Sequence, residues 1–243
     1  MRAMAFGTRC RRELLRDPVS LFFSVGLPVA LLAMMHLIQR SIGDGPAIFD
    51  LPRFTPGIAL FSLAFLSMFA AMLLAGDRDS AYLTRLYASP MQAADFLAGY
   101  CLPLLPLGLA QGAVCFLAAF CLGLRDAAGA LRCLLAMVPV ILLFIALGLL
   151  LGSILRGRQV GAIASILVQV VALSSGMWFD LELIGGGFRT VCRLLPFARA
   201  LELIQRAMAG SAAGAAENLA WVLGYAAAIS AAAVLLFRRQ MRG

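Results

Sequence analysis

Few side chains in this chain are suited to chemistry, and their types point away from catalysis. There is one histidine, His36, so a two-histidine metal motif such as HExxH cannot be built. There is no lysine, and all 20 basic residues are arginine. A Walker A loop needs a lysine among the nucleotide phosphates, so a P-loop nucleotide site of the usual kind is excluded, whatever codon bias made arginine the basic residue. The six cysteines, Cys10, Cys101, Cys115, Cys121, Cys133 and Cys192, show no CxxC spacing and mostly fall inside apolar runs. They read as small packing residues. Only Cys192 is expected on the outer side of the membrane, with no evident disulfide partner there. We expect no catalytic residue, no cofactor and no metal.

What remains is polar chemistry of two kinds. Inside apolar runs stand Gln111 and Gln169, whose amides suit either helix-to-helix hydrogen bonding or a substrate path. His36 lies near the end of an apolar run and reads as interfacial. No run carries a carboxylate, which disfavours an ion-coupled carrier, because such carriers keep ionisable groups within the membrane. Gly148 and Gly152 form a GxxxG pair that reads as close packing within a bundle rather than as a dimer contact. The second kind is the segment Asp77-Arg78-Asp79-Ser80-Ala81-Tyr82-Leu83-Thr84-Arg85-Leu86-Tyr87-Ala88-Ser89-Pro90. Mixed charge precedes an apolar stripe of Tyr82, Leu83, Leu86 and Tyr87, and Ser89-Pro90 stops the helix. Such a stripe serves a partner surface or an interfacial helix lying on lipid, and the pattern accommodates both.

The elements that must position these residues follow from composition. Hydrophobic residues make up 63% of the 243 and charged ones 13%, with mean hydropathy +0.95, against about 25% charged in soluble domains. Only a bilayer can accommodate that much apolar surface. Runs at 19–38, 57–76, 96–122, 134–155, 160–179 and 219–237 are each long enough to cross about 30 Å of hydrocarbon. Ahead of them, Arg2, Arg9, Arg12 and Arg16 fall on one helical face of residues 1–17 and Met4, Gly7, Cys10 and Leu14 on another, which predicts an amphipathic interfacial helix. The first run is too long for a cleaved signal sequence. Between the fifth and sixth runs, 180–217 is polar but carries Leu194, Phe197, Leu201, Ile204 and Met208 at helical spacing. Pro196 should split it into two short helices, with a Glu202–Arg206 pair, and with Arg199 and Arg206 reaching water or headgroups. The expected fold is an all-α membrane protein, a single domain over 1–243, with six transmembrane helices, an N-terminal interfacial helix and a short external helix pair before the last span.

Orientation follows from arginine. The N-terminus, 77–95, 156–158 and the C-terminal tail carry 12, and the opposite loops carry 8. By the positive-inside rule both termini are cytoplasmic. The net charge of +8 sits at the ends of apolar runs, which fits anionic headgroups and not nucleic acid.

The 77–90 segment resembles the acidic-Arg-acidic, Gly-Thr-Leu-x-Arg-Leu, Ser-Pro pattern that follows the second span in ABC-2 type transporter permeases, the membrane subunits of ATP-binding cassette exporters. Asp77, Arg78, Asp79, Leu83, Arg85, Leu86, Ser89 and Pro90 match, while Ala81 and Tyr82 replace the family's Gly and Thr. Ser175-Gly176-Met177-Trp178-Phe179 is similar to the family's helix 5 end, with Asp180 where a proline is usual. Leu195-Pro196-Phe197 and the Arg206 helix are similar to its external helix pair. The resemblance implies a cytoplasmic ABC ATPase partner engaging 77–95, and a second permease copy or a related permease completing an export pathway in the inner membrane. The apolar path with few charged side chains suits an amphipathic or lipid-like substrate, although related permeases also handle polysaccharides, peptides and haem. It also implies that ATP is hydrolysed on the separate subunit. A channel or secondary carrier without an ATPase, and a membrane scaffold, are the alternatives.

Overall fold

The computed structural model describes residues 22–42, 50–79 and 93–242. A π-helical turn, Phe22–Gly26, leads into α1, Leu27–Ile42; there follow α2, Leu51–Asp79; α3, Ala93–Cys121; α4, Ala127–Ile154; and α5, Gly157–Ser174. Three short helices come next, α6, Leu181–Ile184; α7, Gly186–Leu194; and α8, Pro196–Ala209, before α9, Ala215–Arg242. Among the described residues six helices are long and apolar enough to span a membrane: Phe22–Ser41, Leu51–Asp79, Gly99–Cys121, Ala127–Ile154, Gly157–Ser174 and Ala215–Leu236. The expected interfacial helix at 1–17 and most of the 77–95 segment lie outside the described residues.

The second span is the hub of the bundle. Across its most apolar stretch 83% of residues are buried, against 17% for the first and sixth spans, so α2 is enclosed by neighbours while α1 and α9 are peripheral. It is also longer than its apolar run predicts. Pro52 and Pro56, which precede the expected run at 57–76, lie within the first two turns of α2. Pro52 is tolerated because first-turn N–H groups lack intrahelical partners, whereas Pro56, one turn further in, removes the donor that the Pro52 carbonyl would otherwise accept from. The Asp50 carbonyl accepts from Arg53 N and Phe54 N to start the helix. At its other end α2 continues through Asp79, so the charged triplet 77–79 is helical. The fourth span likewise begins earlier than expected, at Ala127, because the Asp126 side chain accepts from Gly129 N at 2.7 Å and caps it.

Gly148 and Gly152 bring α4 onto α2. A Cβ at Gly148 would run into the Ser67 carbonyl oxygen and stand 2.6 Å from Ala70 Cβ, and one at Gly152 would stand 2.7 Å from Ala71 O. The pair therefore packs inside the bundle, as its spacing predicts.

Pro196 divides the segment after the fifth span as expected. Leu195 is extended (ψ 147°), the conformation that a following proline favours. α8 ends at Gly210, whose φ of +68° suits glycine. Phe197, Leu201, Ile204 and Met208 are buried, so this amphipathic helix is sunk into one end of the bundle, with Phe197 against Phe144 (ring centroids 5.8 Å). Leu194 is 56% exposed, because it ends α7 and lies beyond that buried face. Glu202 and Arg206 pair at 3.9 Å. Arg199, expected in water, has a side chain only 20% exposed: it pairs with Glu217 at 3.1 Å and donates to Asn218 Oδ1 at 3.1 Å. Both partners belong to α9, so their neighbourhood was not visible in the α8 pattern.

Candidate coupling site at the end of the second span

Successive residues of an α-helix point about 100° apart, so three consecutive charged residues at a helix end can reach three different neighbours. The triplet on α2 does so. Asp77 is 3% exposed, and its Oδ2 accepts a 2.7 Å hydrogen bond from the hydroxyl of Tyr100 on α3, itself 1% exposed. Arg78 Nη1 donates to the carbonyl oxygens of Gly152 (2.9 Å), Ser153 (2.6 Å) and Leu155 (3.3 Å) at the end of α4. Asp79 Oδ2 accepts from Gly157 N, the first residue of α5, at 3.1 Å.

Each contact answers an electrostatic need. The last carbonyls of a helix have no intrahelical donor and carry partial negative charge, while the first N–H groups carry partial positive charge. A guanidinium at the end of α4 and a carboxylate at the start of α5 satisfy both. Gln159 Oε1 adds to the start of α5 by accepting from Arg156 N at 3.2 Å. The result is a clasp joining α2, α3 and the turn between α4 and α5. Sequence reading placed Asp77, Arg78 and Asp79 in a partner-binding segment. In the structure their side chains reach neighbouring helices of the same chain, and the segment that continues from them, with Leu83, Arg85, Leu86, Ser89 and Pro90, lies outside the described residues. Tyr100 was not singled out from the sequence, and a lone tyrosine in an apolar run carried no signal that it faces a carboxylate.

The two glutamines separate. Gln111 is 1% exposed inside the bundle, and neither atom of its amide has a hydrogen-bond partner among the described residues. Gln169 is on the exposed side of α5 with Ser165, Ile166, Val170 and Leu173, opposite the buried Val160, Ala164, Val168 and Val171. Of the two, Gln169 therefore stands on a surface that something outside the chain can touch.

The other end of the bundle is held by arginine in the same way. Arg132 donates to Ala207 O at 2.9 Å and Met208 O at 3.2 Å, at the end of α8. Arg53 pairs with Asp180 at 3.2 Å, tying the start of α2 to the segment after α5. Near it, Trp178 packs on Phe54 (5.8 Å) and a Cβ on Gly57 would be 3.0 Å from Met177 Cβ. The Ser175–Phe179 turn therefore rests on α2.

Comparison with curated proteins gives no match. The sequence profile of the ABC-2 type transporter matches residues 2–209, from the N-terminal arginines through the clasp to the end of α8. That family supplies the membrane component of ABC transporters, works with an ABC ATPase and does not itself hydrolyse ATP. With most of its length matched and six helices long and apolar enough to span a membrane among the described residues, the chain belongs to the ABC-2 type transporter family.

Proposed function

We propose that the protein is the permease subunit of an ATP-driven exporter in the inner membrane, working as two copies, with the clasp as the element that passes ATPase movement into the spans. The observation that carries this reading is the path of contacts from Arg78 and Asp79 to the α4–α5 turn. Residues 80–90 continue directly from α2, so an ATPase engaging the Leu83 and Leu86 stripe would pull on Asp79 and Arg78. Through them the pull reaches the end of α4 and the start of α5. A shift of α5 changes the surface bearing Gln169. Differential contact of the stripe with the two ATPase states is what would make the shift depend on ATP.

The same helix supports the second copy. An amide exposed on a spanning helix is costly in hydrocarbon unless covered by protein or by a polar path, and Gln169 with Ser165 meets that condition. A pathway between two α5 faces, largely apolar with a few amides and hydroxyls, suits an amphipathic or lipid-like substrate.

Replacing Leu83 and Leu86 together with Asp should abolish ATPase co-purification and transport-stimulated hydrolysis while leaving the permease inserted. Each buried leucine lost from such a contact costs about 1.5–3 kcal/mol, and each new buried carboxylate adds to that. Leu235→Val on the exposed side of α9 serves as the control. Normal export by the double variant would show that the segment lies on lipid. The arginine distribution further predicts that in a cysteine-free background a cysteine at position 125 is labelled by an impermeant reagent from outside and one at position 158 only from inside. The reverse pattern would invert the topology and separate 80–90 from any cytoplasmic ATPase.

A further inference from the structure

We infer that the surface shared by α7 and α9 is a binding site for one anionic phospholipid of the surrounding bilayer, distinct from the transported substrate. Two adjoining depressions meet there at one side chain. A cavity of about 520 Å³ is lined by Gly186, Arg189, Thr190, Arg193, Arg199 and Trp221, among others. A groove of about 440 Å³ runs on along α9 past Trp221, Gly224, Tyr225 and Ala228. The first is cationic and the second almost wholly apolar. A phospholipid has the same two parts in the same order.

The charge is not cancelled among the described residues. Arg189 and Arg193 both donate to the same oxygen of Glu182, at 2.9 and 2.7 Å, so two guanidiniums share one carboxylate that is itself 62% exposed. Each guanidinium has five N–H donors, and most of them stay open to a phosphate, which arginine recognises through paired hydrogen bonds. Arg199 is held in the wall by Glu217 and lies 5.8 Å from the Trp221 ring centroid.

The depth of the site matches a lipid headgroup. Leu183, Phe188, Val191 and Leu194 are exposed on α6 and α7, while Arg189 and Arg193 share α7 with them, as in a helix lying in the membrane interface. Trp221 and Tyr225 stack at 5.9 Å in the first turns of α9, where aromatic rings concentrate at membrane boundaries. The Tyr225 hydroxyl donates to Leu194 O at 2.6 Å and so fixes the groove to the end of α7. Gly224 faces open space, with nothing among the described residues within 4 Å of where its Cβ would be. That space admits an acyl chain.

The protein has two tryptophans, so in a Trp178→Phe background Trp221 is a private probe. In nanodiscs of phosphatidylcholine, phosphatidylglycerol with brominated acyl chains should quench Trp221 at a much lower mole fraction than brominated phosphatidylcholine does. Arg189→Gln with Arg193→Gln should raise the half-quenching fraction of the anionic lipid about thirtyfold, given roughly 1 kcal/mol per interfacial arginine, and leave phosphatidylcholine quenching unchanged, which also reports an intact fold. Gly224→Leu, which fills the groove, should weaken quenching by both lipids. Equal quenching by the two lipids, or a preference for phosphatidylglycerol that survives in the double arginine variant, would overturn the site. Full displacement of the lipid by millimolar inorganic phosphate would also overturn it, by showing that only a free anion is recognised. The measurement uses neither ATPase nor transport, so its failure leaves the export proposal standing, and the reverse holds too.

Discussion

Leucine in place of Gly148 is expected to leave almost no folded protein in the membrane, and alanine is expected to lower its thermal stability markedly. The Cβ of any residue at 148 meets the backbone carbonyl of Ser67 and the Cβ of Ala70, and a backbone atom in the middle of a buried helix cannot swing aside as the end of a long side chain can. The helices must separate instead. Overpacking commonly costs about 1–3 kcal/mol, and here the displaced partner is α2, on which the first, third and fifth spans also rest. Within a bilayer the association of helices depends on close packing rather than on exclusion of water, so a gap along the α2–α4 contact has no compensating term. Gly161 provides the control: on α5 a Cβ added to it would meet nothing within 4 Å among the described residues, and Gly161→Ala should be near neutral or stabilising. Detergent-solubilised yield and melting temperature of the three variants decide the matter. A stable Gly148→Leu protein would mean that α2 and α4 do not cross where the structure puts them.

Arg78→Glu is expected to uncouple the transporter while the ATPase still binds. The guanidinium serves three carbonyl oxygens at the end of α4, and hydrogen bonds to a charged group contribute about 1.5–3 kcal/mol. A carboxylate there faces those oxygens and the negative end of the helix, so it both loses the bonds and adds repulsion. The turn between α4 and α5 would then no longer follow α2. Basal ATP hydrolysis and co-purification should persist, because the Leu83 and Leu86 stripe is untouched, whereas substrate stimulation and export should fall to background. Arg78→Lys should recover part of the activity, since an ammonium keeps the charge near these carbonyls but lacks the rigid, planar reach of the guanidinium. Export at the normal rate by the Glu variant would show that the clasp is a static brace, and loss of the ATPase together with export would place Arg78 in the docking surface itself.

These two predictions concern the same pair of helices, α2 and α4, and differ in what could be foreseen. The GxxxG spacing is a local pattern, and close packing on a neighbour in the bundle follows from it directly. The triplet Asp77-Arg78-Asp79 was equally visible, and its resemblance to the family motif placed it correctly at the end of the second span. Its inward orientation was not visible, because its partners, Tyr100, Gly152 to Leu155 and Gly157, come from three other helices. Glutamines 111 and 169 looked alike as single amides in apolar runs, yet one is enclosed and the other exposed.

Composition and the lengths of the apolar runs determined by themselves that this is a six-span helical membrane protein, and the motif at 77–90 marked it as one of the ABC-2 type, with a proline-split helix pair before the last span. Those are properties of local chemistry: a run of apolar residues at 1.5 Å per residue either crosses the hydrocarbon or does not. The tertiary structure alone decided which helix is the hub, that the charges of 77–79 are spent on neighbouring helices, and that Arg199 is covered while Arg189 and Arg193 share a single carboxylate. A charged or polar side chain specifies that it needs a partner, but the identity of that partner depends on which distant helix the packing brings alongside it.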